Sequence, residues 1–514
     1  MGGKHHAPPD YRPREFALPD NGCWERCLAE VGRRFGVEAE PACRVVRIFY
    51  DTFDWRLHRR GQILYTERRG RDPVMRLMWR DTRGGGSTSQ PVSEPPGFAA
   101  ALPPRLRSRL GAVIEPRALL AVVELRGPVS RASVLDSDAK TVARLEEAVW
   151  TVYADGRPRG RLAARVTLEA LRGYAAAAAE AAQALAGGGA HRQGEAVLTA
   201  ALAHIERFPG DYSSKFALQL DPTHTAQQAT LVLLKHLAQT MRRNEQGTMA
   251  ATDPEFLHDF RVAVRRTRSL LAQAKGMLRA QALAPFRAEF AWLARQTSEP
   301  RDLDVQLLEL KEISSAALAP LISHLRARRR RARARLNRTL AGERYRKLLD
   351  NWVRLLDAAD MAPGPLAEQP VSAYAGERIW RIYRRAIREG HAIHAESRAE
   401  ALHELRKTCK QLRYLMEAYQ SLYPARLISG RIKELRRLQD YLGGFQDQNV
   451  QRENLRRSGR ELAANNAGDA EILMEIGKML ERLRVEQNIT RKEFGDRFAA
   501  FAGNRRAFAR LFKS

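Results

Sequence analysis

The sequence predicts an α+β region at the N-terminus followed by an all-α region that contains two copies of one helical module. Up to about residue 170, short β-branched or aromatic runs alternate with Gly and Pro, which is typical of strands joined by turns. From Ala226 onward, apolar residues recur at spacings of three and four, as they do in amphipathic helices. Two segments of this later part repeat one pattern of charged residues at an offset of 145 positions, which indicates a duplication.

The N-terminal region contains three clear strand candidates and then a helical stretch. The strand candidates are RVVRIFYDTF, LLAVVEL and AVWTVYA, which are rich in β-branched and aromatic side chains. A poly-alanine helix, GYAAAAAEAAQAL, follows, and then a short helical piece, VLTAALAHIERF. We expect one domain over residues 1–205, a linker over 206–225 and a helical domain over 226–514.

The chain is strongly basic, and most of the excess charge lies in its later part. Its 87 Lys and Arg residues against 59 Asp and Glu residues give a formal net charge of +28. The first 200 residues contribute +8 and the remaining residues +20. A field of this sign attracts polyanions, which include nucleic acid, anionic membranes and polyphosphate. Composition alone does not choose among these partners.

Cysteine usage and hydropathy exclude several other classes of protein. The four cysteines are too few and too scattered for a disulfide framework, and the close pair Cys23 and Cys27 lacks the second half of a zinc site. The sequence has neither the apolar core of a signal peptide nor an apolar run of about 18 residues. We therefore expect a cytoplasmic protein without a metal or another cofactor.

The duplicated pattern is a ladder of cations that follows a histidine. It occurs in LHDFRVAVRRTR, from Leu257, and again in LHELRKTCKQLR, from Leu402. The first ladder is His258, Arg261, Arg265 and Arg268, and the second ladder is His403, Arg406, Lys410 and Arg413. At the same offset Arg243 aligns with Arg388, and Asp302 aligns with Asp447. Two helical modules of one design explain this correspondence most simply.

Each ladder occupies one face of a helix. At 100° per residue its four positions span an arc of about 80° and a length of ~15 Å. A different face carries the apolar residues, which are Phe260, Val264, Leu271 and Leu278 in the first copy and Leu405, Cys409, Leu412 and Met416 in the second. A run of charge is usually a solvated face, but solvated faces mix signs because like charges at these spacings repel. A repeated face of one sign therefore indicates a multivalent anion as the ligand.

The residue types in the ladders favour binding without chemistry. Arg offers planar forks that suit phosphate oxygens, and Lys offers a point charge. Neighbouring guanidinium groups should keep each histidine neutral, so that it donates from one ring nitrogen. The ladders contain neither a nucleophile paired with a base nor a carboxylate cluster for Mg²⁺. We expect Asp302 and Asp447 to cap helices or to orient arginines rather than to bind ligand.

Further cations extend the basic surface. Lys433, Arg436 and Arg437 precede the second Asp motif, and the segment 326–335 holds seven arginines in ten residues. That run fits a solvated helix end, a nucleic-acid patch or part of a phosphate groove equally well. The candidate binding residues are His258, Arg261, Arg265, Arg266, Arg268, His403, Arg406, Lys407, Lys410, Arg413, Arg243, Arg388, Lys433, Arg436 and Arg437.

The paired motifs resemble those of the CHAD family, the conserved-histidine α-helical domains. The resemblance rests on H-x-x-R-V-A-V-R-R-x-R, on H-x-x-R-K-x-x-K-x-L-R-Y and on the RDLDV-like segment after each, and it covers Ala226 to the C-terminus. It implies two pseudo-symmetric four-helix bundles, here at about 226–365 and 371–514. It also implies that inner basic residues bind inorganic polyphosphate and that the protein associates with polyphosphate granules, and it leaves polyphosphate-metabolising enzymes open as partners.

The N-terminal region resembles a degenerate CYTH domain, the antiparallel β-barrel of the triphosphate-tunnel enzymes. The resemblance rests on VVRIFYDTFDWRLHRRGQILYTERR at 45–69. Active members begin with E-x-E-x-K, whereas this chain reads Tyr11-Arg12-Pro13-Arg14-Glu15, and its late strand ARVTLEA keeps only Glu169. Because tunnel hydrolysis needs carboxylates that hold a metal ion, the departure implies a scaffold without catalysis. A weak anion site through Arg68, Arg76 and Arg80 is the most that we expect there.

Three functions follow, in order of preference. The first is polyphosphate binding without turnover, with the more basic first bundle contributing more of the affinity because Arg266 aligns with Gln411. The second is nucleic-acid binding, which the ladders support less well because neither ladder has an aromatic residue on its cation face before Tyr414. The third is residual triphosphatase activity in the N-terminal domain, which the missing carboxylates disfavour.

Overall fold

The protein folds into two compact units that divide between Ser214 and Lys215. The computed structural model describes residues 13–20, 23–83, 86–216, 218–274, 276–312, 318–358, 363–394, 397–464 and 470–513. We call residues up to Ser214 the N-terminal unit and the residues from Lys215 the helical unit. Among the described helices, none combines the length and the hydropathy needed to cross a membrane.

The described part of the N-terminal unit is an antiparallel sheet of eleven strands with five α-helices. The strands are β1 (Arg14–Ala17), β2 (Gly36–Thr52), β3 (Gln62–Arg69), β4 (Met75–Asp81), β5 (Ser87–Val92), β6 (Leu119–Leu135), β7 (Thr141–Ala148), β8 (Thr151–Ala154), β9 (Arg157–Arg161), β10 (Arg165–Ala170) and β11 (His191–Gln193). The helices are α1 (Cys23–Gly32), α2 (Arg56–Arg59), α3 (Pro104–Ile114), α4 (Ala175–Gly187) and α5 (Val197–Ala203). The strand order is β11-β1-β10-β7-β6-β2-β3-β4-β5, and the hairpin β8-β9 joins β6.

This sheet curves around a cavity of about 810 Å³. Four strands separate β4 from β10 in the sheet order, yet Arg80 on β4 lies 3.2 Å from Glu169 on β10. Such a contact is possible only because the right-handed twist of the long strands β2 and β6 rolls the sheet towards a barrel. The antiparallel, tunnel-like architecture that the resemblance to CYTH domains implies is therefore confirmed.

The helical unit is all α in its described residues. Its helices are α6 (Ala226–Met249), α7 (Pro254–Gln273), α8 (Ala280–Gln296), α9 (Ser298–Glu312), α10 (Ala319–Ala341), α11 (Glu343–Asp357), α12 (Val371–His391), α13 (Ala399–Ala418), α14 (Ala425–Ala464), α15 (Ala470–Ala502) and α16 (Arg505–Phe512). Asp253 caps α7 through hydrogen bonds to two backbone amides, and Pro254 occupies its first turn, as expected for a strong helix start.

The helix bounds repeat at the offset of 145 residues that the sequence showed. Both ends of α7 map onto the ends of α13, and the first residues of α6 and α8 map onto those of α12 and α14. The backbone confirms the relation directly. Ala226 donates from its N–H to the carbonyl of Gln369, and the equivalent Val371 donates to the carbonyl of His224. This reciprocal exchange is what a pseudo-twofold axis between two copies produces.

The first copy breaks two helices that the second copy keeps whole. The single helix α14 covers the path of α8 and α9, and α15 covers most of the path of α10 and α11. Pro300 lacks an N–H and its ring would clash with the carbonyl of Gln296, so α8 ends there; its counterpart in the second copy is Phe445. Gly342 has an extended backbone between α10 and α11, and its counterpart is the helical Gln487.

The two copies share their hydrophobic cores. The larger core unites buried residues of both copies, such as Phe260 and Phe290 of the first copy with Leu405 and Phe498 of the second. A smaller core joins α9 and α10 to the distal parts of α14 and α15 through residues such as Leu303 and Leu455. The helices that carry the ladders are thus fixed in one packed body.

Candidate polyanion-binding site

The structure brings the two ladders together on α7 and α13. The guanidinium carbon of Arg265 on α7 lies 5.7 Å from the centre of the Tyr414 ring on α13. One residue further along α7, Arg266 donates from Nη2 to Glu417 Oε2 at 2.6 Å. Seven of the eight ladder residues are half-buried, namely His258, Arg261, Arg265, His403, Arg406, Lys410 and Arg413, whereas Arg268 is exposed. The ladders therefore form one surface with contributions from both copies.

The face that should pack is buried, as predicted. Its residues are Phe260, Val264 and Leu271 in the first copy and Leu405, Cys409, Leu412 and Met416 in the second, and each is fully buried. Leu278 is also buried, but it lies beyond Gln273, where α7 ends, so its predicted place on this helix face was wrong. This burial fixes the rotation of both helices and leaves the cations on the adjoining face. The helical periodicity of the ladders is confirmed.

The ladder cations carry more charge than their surroundings compensate. Burial lowers the pKa of Arg261 even though Asp302 opposes the effect. Burial likewise lowers the pKa of Arg406, although this side chain donates to Asp447 Oδ1 at 3.0 Å. Asp447 thus orients an arginine, which is one of the structural roles that the sequence suggested.

Lys410 shows most clearly that the positive charge of the ladders is only partly compensated. Burial, together with the charges of Arg406 and Arg265, lowers its pKa to about 7, and Asp447 offsets only part of this. Its counterpart in the first ladder is Arg265, which stays charged at any physiological pH. The two ladders therefore differ in the pH range over which they hold their full charge.

Several donors among the ladders are shielded from water and have no acceptor within the part of the chain that the structure describes. They are Arg261 Nη1, Arg265 Nε, Arg406 Nε, Ser269 Oγ and Tyr414 Oη. Ser269 and Tyr414 occupy equivalent positions in the two copies. Buried donors are nearly always satisfied, by protein or by a bound group. These donors are therefore candidates for contacts with a bound anion.

The structure adds to the candidate site a carboxylate that the self-comparison of the two copies missed. Glu417 lies on α13, one turn beyond the end of the second ladder, and its side chain is 5% exposed. Arg436 on α14 donates to its Oε1 at 2.8 Å, and Arg413 lies 3.8 Å from the same oxygen. Burial would raise the pKa of Glu417, but the charges of Arg266 and Arg413 hold that pKa below its ordinary value.

The remaining candidate residues lie further out. Lys407 is 59% exposed and pairs with Glu404 at 2.7 Å, so it belongs to the outer edge of α13. Arg243, Arg388, Lys433, Arg436 and Arg437 are exposed on α6, α12 and α14. Among these, Arg436 is joined to the ladders through Glu417. His236 was not predicted, and burial together with the charges of Arg266 and Arg243 lowers its pKa.

The arginine run on α10 is partly neutralised inside the protein. Arg329 and Arg333 both bind Asp304, a carboxylate that is nearly inaccessible to solvent. Arg328 and Arg335 bind Glu299 at 3.0 and 2.6 Å. These pairs hold α10 against α9, so at least four of the seven arginines stabilise the smaller core.

In the cavity of the N-terminal unit, Arg47 and Arg131 are paired with carboxylates. Arg47 donates to Glu67 Oε2 and to Glu146 Oε1, both at 2.7 Å. Arg131 lies 2.7 Å from an oxygen of each of the same two carboxylates. Glu146, Tyr65 and Glu67 raise the pKa of Arg47 in spite of its burial, and Arg47 and Arg131 lower the pKa of Glu146 to about 2.

Of the three arginines expected to form a weak anion site in the N-terminal unit, one lines the cavity. Arg80 lines the cavity and pairs with Glu169, whereas Arg68 is exposed and Arg76 bonds to the hydroxyl of Ser89. Glu15 also lines the cavity, and burial raises its pKa. Tyr11 and Arg12 lie outside the described residues. Across the described residues, no group of three or more His, Cys, Asp or Glu side chains is placed to hold a metal ion.

Comparisons with solved structures return proteins that are similar to parts of this chain. A CHAD domain from the plant Ricinus communis is 23% identical, with a TM-score of 0.49 over 57% of this chain and 96% of that one. PptA from Streptomyces chartreusis is 17% identical, with a TM-score of 0.41 over 53% and 99%. An adenylyl cyclase candidate from Hippeastrum, described as having a dominant triphosphatase activity, is 10% identical, with a TM-score of 0.24 over 39% and 99%.

Sequence comparisons return two relatives and one family model. Two uncharacterized proteins of Mycobacterium tuberculosis, from strains CDC 1551 and H37Rv, are each 30% identical over 224 residues, which are 41% of this chain. The match spans 42% of the length of each relative. The family model for the CHAD domain matches residues 232–456, a range that contains both ladders and Glu417. This part of the chain is therefore a CHAD domain.

Proposed function

We propose that the helical unit binds inorganic polyphosphate through the two ladders, without turning it over. The observation that carries the proposal is the set of half-buried cations whose charge and hydrogen-bonding capacity the described protein does not match. Uncompensated burial lowers the pKa of Arg261, Arg406 and Lys410. Buried charges are normally paired, so an anionic ligand is the partner that this arrangement lacks.

The geometry favours a linear ligand with closely spaced charges. Each ladder places a basic residue at every turn of its helix, and turns follow each other at about 5.4 Å. Contact between Arg265 and Tyr414 places the ladders beside each other, so cations from both copies line one surface. Polyphosphate carries a negative charge on every phosphate of a flexible chain and can present oxygens to both ladders at once.

The N-terminal unit supports binding rather than hydrolysis as the function of the whole chain. Its cavity carboxylates Glu146 and Glu169 are engaged by arginines, and hydrolysis of a triphosphate requires carboxylates that are available to a metal ion. We propose that this unit does not hydrolyse phosphoanhydrides. An assay of the full chain with tripolyphosphate and Mg²⁺ or Mn²⁺ tests this, and turnover that disappears in the Glu146→Gln variant would overturn it.

The main test is a competition between polyanions. The full chain is titrated with labelled long-chain polyphosphate and then with single-stranded or double-stranded DNA at equal total charge and physiological salt. We expect DNA to displace polyphosphate poorly. If DNA displaces polyphosphate as well as polyphosphate itself does, the protein binds phosphate backbones without specificity. That outcome would favour the nucleic-acid alternative. Affinity should also fall steeply as salt rises, because binding releases counterions.

Association with polyphosphate granules is a further part of the proposal. It follows from the affinity for long chains and is tested with a fluorescent fusion of the full chain in cells that accumulate polyphosphate. We expect foci that coincide with the granules and that disperse when Arg261, Arg265, Arg406 and Lys410 are all replaced by glutamate. Foci that persist in this variant would contradict binding through the ladders.

A further inference from the structure

Glu417 is an acidic residue on the same stripe of α13 as the second ladder. It lies 14 residues after His403, which at 100° per residue corresponds to about 320° and falls within the arc of the ladder. A carboxylate at this place should repel a polyanion. Its side chain is nevertheless almost fully buried, with 5% exposure, so its contacts must explain why the protein keeps it there.

Glu417 joins cations from three helices. Its Oε2 accepts from Arg266 on α7 at 2.6 Å, and its Oε1 accepts from Arg436 on α14 at 2.8 Å. Arg413, on its own helix, lies 3.8 Å away. One carboxylate therefore holds three cations at the junction of the two copies, and the cluster keeps a net positive charge.

Aromatic rings complete the support of these cations. The guanidinium carbons of Arg266 and Arg413 lie 5.8 and 5.4 Å from the centre of the Tyr414 ring. Phe216 also contacts Arg266, with its ring centre 4.9 Å from the guanidinium carbon. Such contacts favour the charged groups and restrict their rotation. Long side chains that are restrained before binding lose less entropy when the ligand arrives.

The pair between Arg266 and Glu417 has no equivalent across the pseudo-twofold axis. At the offset of 145 residues, Arg266 aligns with Gln411 and Glu417 aligns with Ala272. The duplication thus kept the ladders in both copies but placed a charged pair on one side only. This difference also supplies matched control substitutions from the chain itself.

We propose that Glu417 is a positioning residue of the polyanion site: it fixes Arg266, Arg413 and Arg436 so that the two ladders meet the ligand as one surface. This inference rests on the proposed polyphosphate binding. It assigns to an acidic residue a favourable effect on the affinity for an anion. Simple electrostatics predicts the opposite, because removing a negative charge should strengthen binding.

The test compares Glu417→Gln and Glu417→Asp in the full chain. Dissociation constants for long-chain polyphosphate are measured at three salt concentrations. We expect Glu417→Gln to bind about tenfold more weakly, because charge-assisted hydrogen bonds that orient three cations are lost. Its affinity should also depend less on salt, because fewer phosphates are contacted, and Glu417→Asp should recover part of the affinity. Tighter binding by Glu417→Gln with a steeper dependence on salt would overturn the proposal.

A second pair of variants tests the role of Glu417 without leaving Arg266 charged and unpaired. The double variant Arg266→Gln with Glu417→Ala reproduces the neutral pair of Gln411 and Ala272, so neither member of the Arg266–Glu417 pair is left charged without the other. We expect it to bind more weakly than Arg266→Gln alone, because Arg413 and Arg436 lose their anchor, and the difference isolates that contribution. Equal affinity of these two variants would contradict the positioning role. Failure of the unmodified chain to bind polyphosphate would instead refute the proposed function itself.

Discussion

The cavity of the N-terminal unit and the ladder surface of the helical unit both bury arginines, but they balance the charge in opposite ways. In the cavity, Glu146 and Glu67 hold the pKa of Arg131 above its ordinary value although burial would lower it. On the ladder surface, burial lowers the pKa of Arg406 in spite of Asp447. Arg47 and Arg131 in the cavity therefore belong to a completed ion-pair network, whereas the described carboxylates compensate the ladder cations only in part.

The difference shows that basic composition alone does not locate a polyanion site. Both units are basic, and both place arginines in concave or half-buried positions. What separates them is the number of carboxylates within reach of each cation. A buried cation with two carboxylate partners is part of the fold, while a buried cation without enough partners carries an energetic cost that a ligand removes.

The largest expected effect comes from removing the uncompensated cations. Replacing Arg261, Arg265, Arg406 and Lys410 by glutamate should weaken polyphosphate binding at least about 1000-fold, because each replaced cation no longer neutralises a phosphate. Fluorescence titration of the full chain measures the affinity, and far-ultraviolet circular dichroism should show unchanged helicity.

The matched control makes the same charge change on α10. Arg326, Arg330, Arg331 and Arg338 are exposed there. Replacing these four by glutamate removes as many basic residues and adds as many acidic residues as the ladder variant does. We expect their replacement by glutamate to reduce affinity far less than the ladder variant does. Equal losses in the two variants would show that net charge, rather than the ladder surface, determines binding.

The second prediction removes one carboxylate from the completed network. Glu146→Gln leaves Arg47 and Arg131 buried with half of their compensation, which should destabilise the N-terminal unit by about 3 kcal/mol. Hydrogen exchange of peptides from β2, β6 and β7 measures the local stability. The same carboxylate, with a pKa of about 2 against its ordinary 4.5, contributes stability at neutral pH that disappears as the pH falls from about 4.5 towards 2. Unchanged exchange in the variant would show that the network is dispensable.

The sequence predicted the ladder surface much better than the cavity. Periodicity and self-comparison suffice for the ladders because a duplicated helix carries its cations at fixed offsets, and the buried faces of α7 and α13 followed from the same spacing. Glu417 was missed because its counterpart is Ala272, so self-comparison does not align it. The cavity network depends on strand register, which places Arg47 opposite Glu67 and Arg131 opposite Glu146. A shift of one residue in either pairing would move these side chains to the opposite face of the sheet, and the strand candidates recognised in the sequence do not specify the pairing to that precision.

The third prediction concerns pH and uses the difference between the ladders. Lys410 has a pKa of about 7 without ligand, and a bound polyanion raises that pKa by supplying negative charge. At pH values between the pKa of Lys410 without ligand and its pKa with ligand, Lys410 takes up a proton when the polyanion binds. The affinity should therefore fall as the pH rises above about 7, by at most about tenfold per pH unit. Below pH 7, Lys410 is charged with and without ligand, and the affinity should level off.

Lys410→Arg is the control for this pH dependence, because it copies Arg265 from the first ladder. Its guanidinium stays charged from about pH 6 to 9, so the slope above pH 7 should disappear while the affinity at pH 6 stays close to that of the unmodified chain. Dissociation constants at half-unit intervals of pH measure both. A slope that persists in this variant would assign the proton uptake to another group.

The smallest expected effect is on the stability of the unliganded helical unit. The pKa of Lys410 is lower in the folded state than its ordinary 10.5, so between about pH 7 and 10 the unfolded chain holds a proton that the folded chain lacks. Stability therefore falls as the pH decreases through this range and levels off below about 7. Lys410→Met removes the buried charge and keeps a similar volume, and it should raise the free energy of unfolding at pH 7 by about 1 kcal/mol.

Urea unfolding followed by circular dichroism, with and without polyphosphate, tests this effect directly. The Lys410→Met variant should be more stable than the unmodified chain without polyphosphate and lose that advantage when polyphosphate is present, since the ligand compensates the lysine. A destabilised variant in the absence of ligand would mean that Lys410 is compensated within the protein, and the contrast with the cavity would not hold at this position.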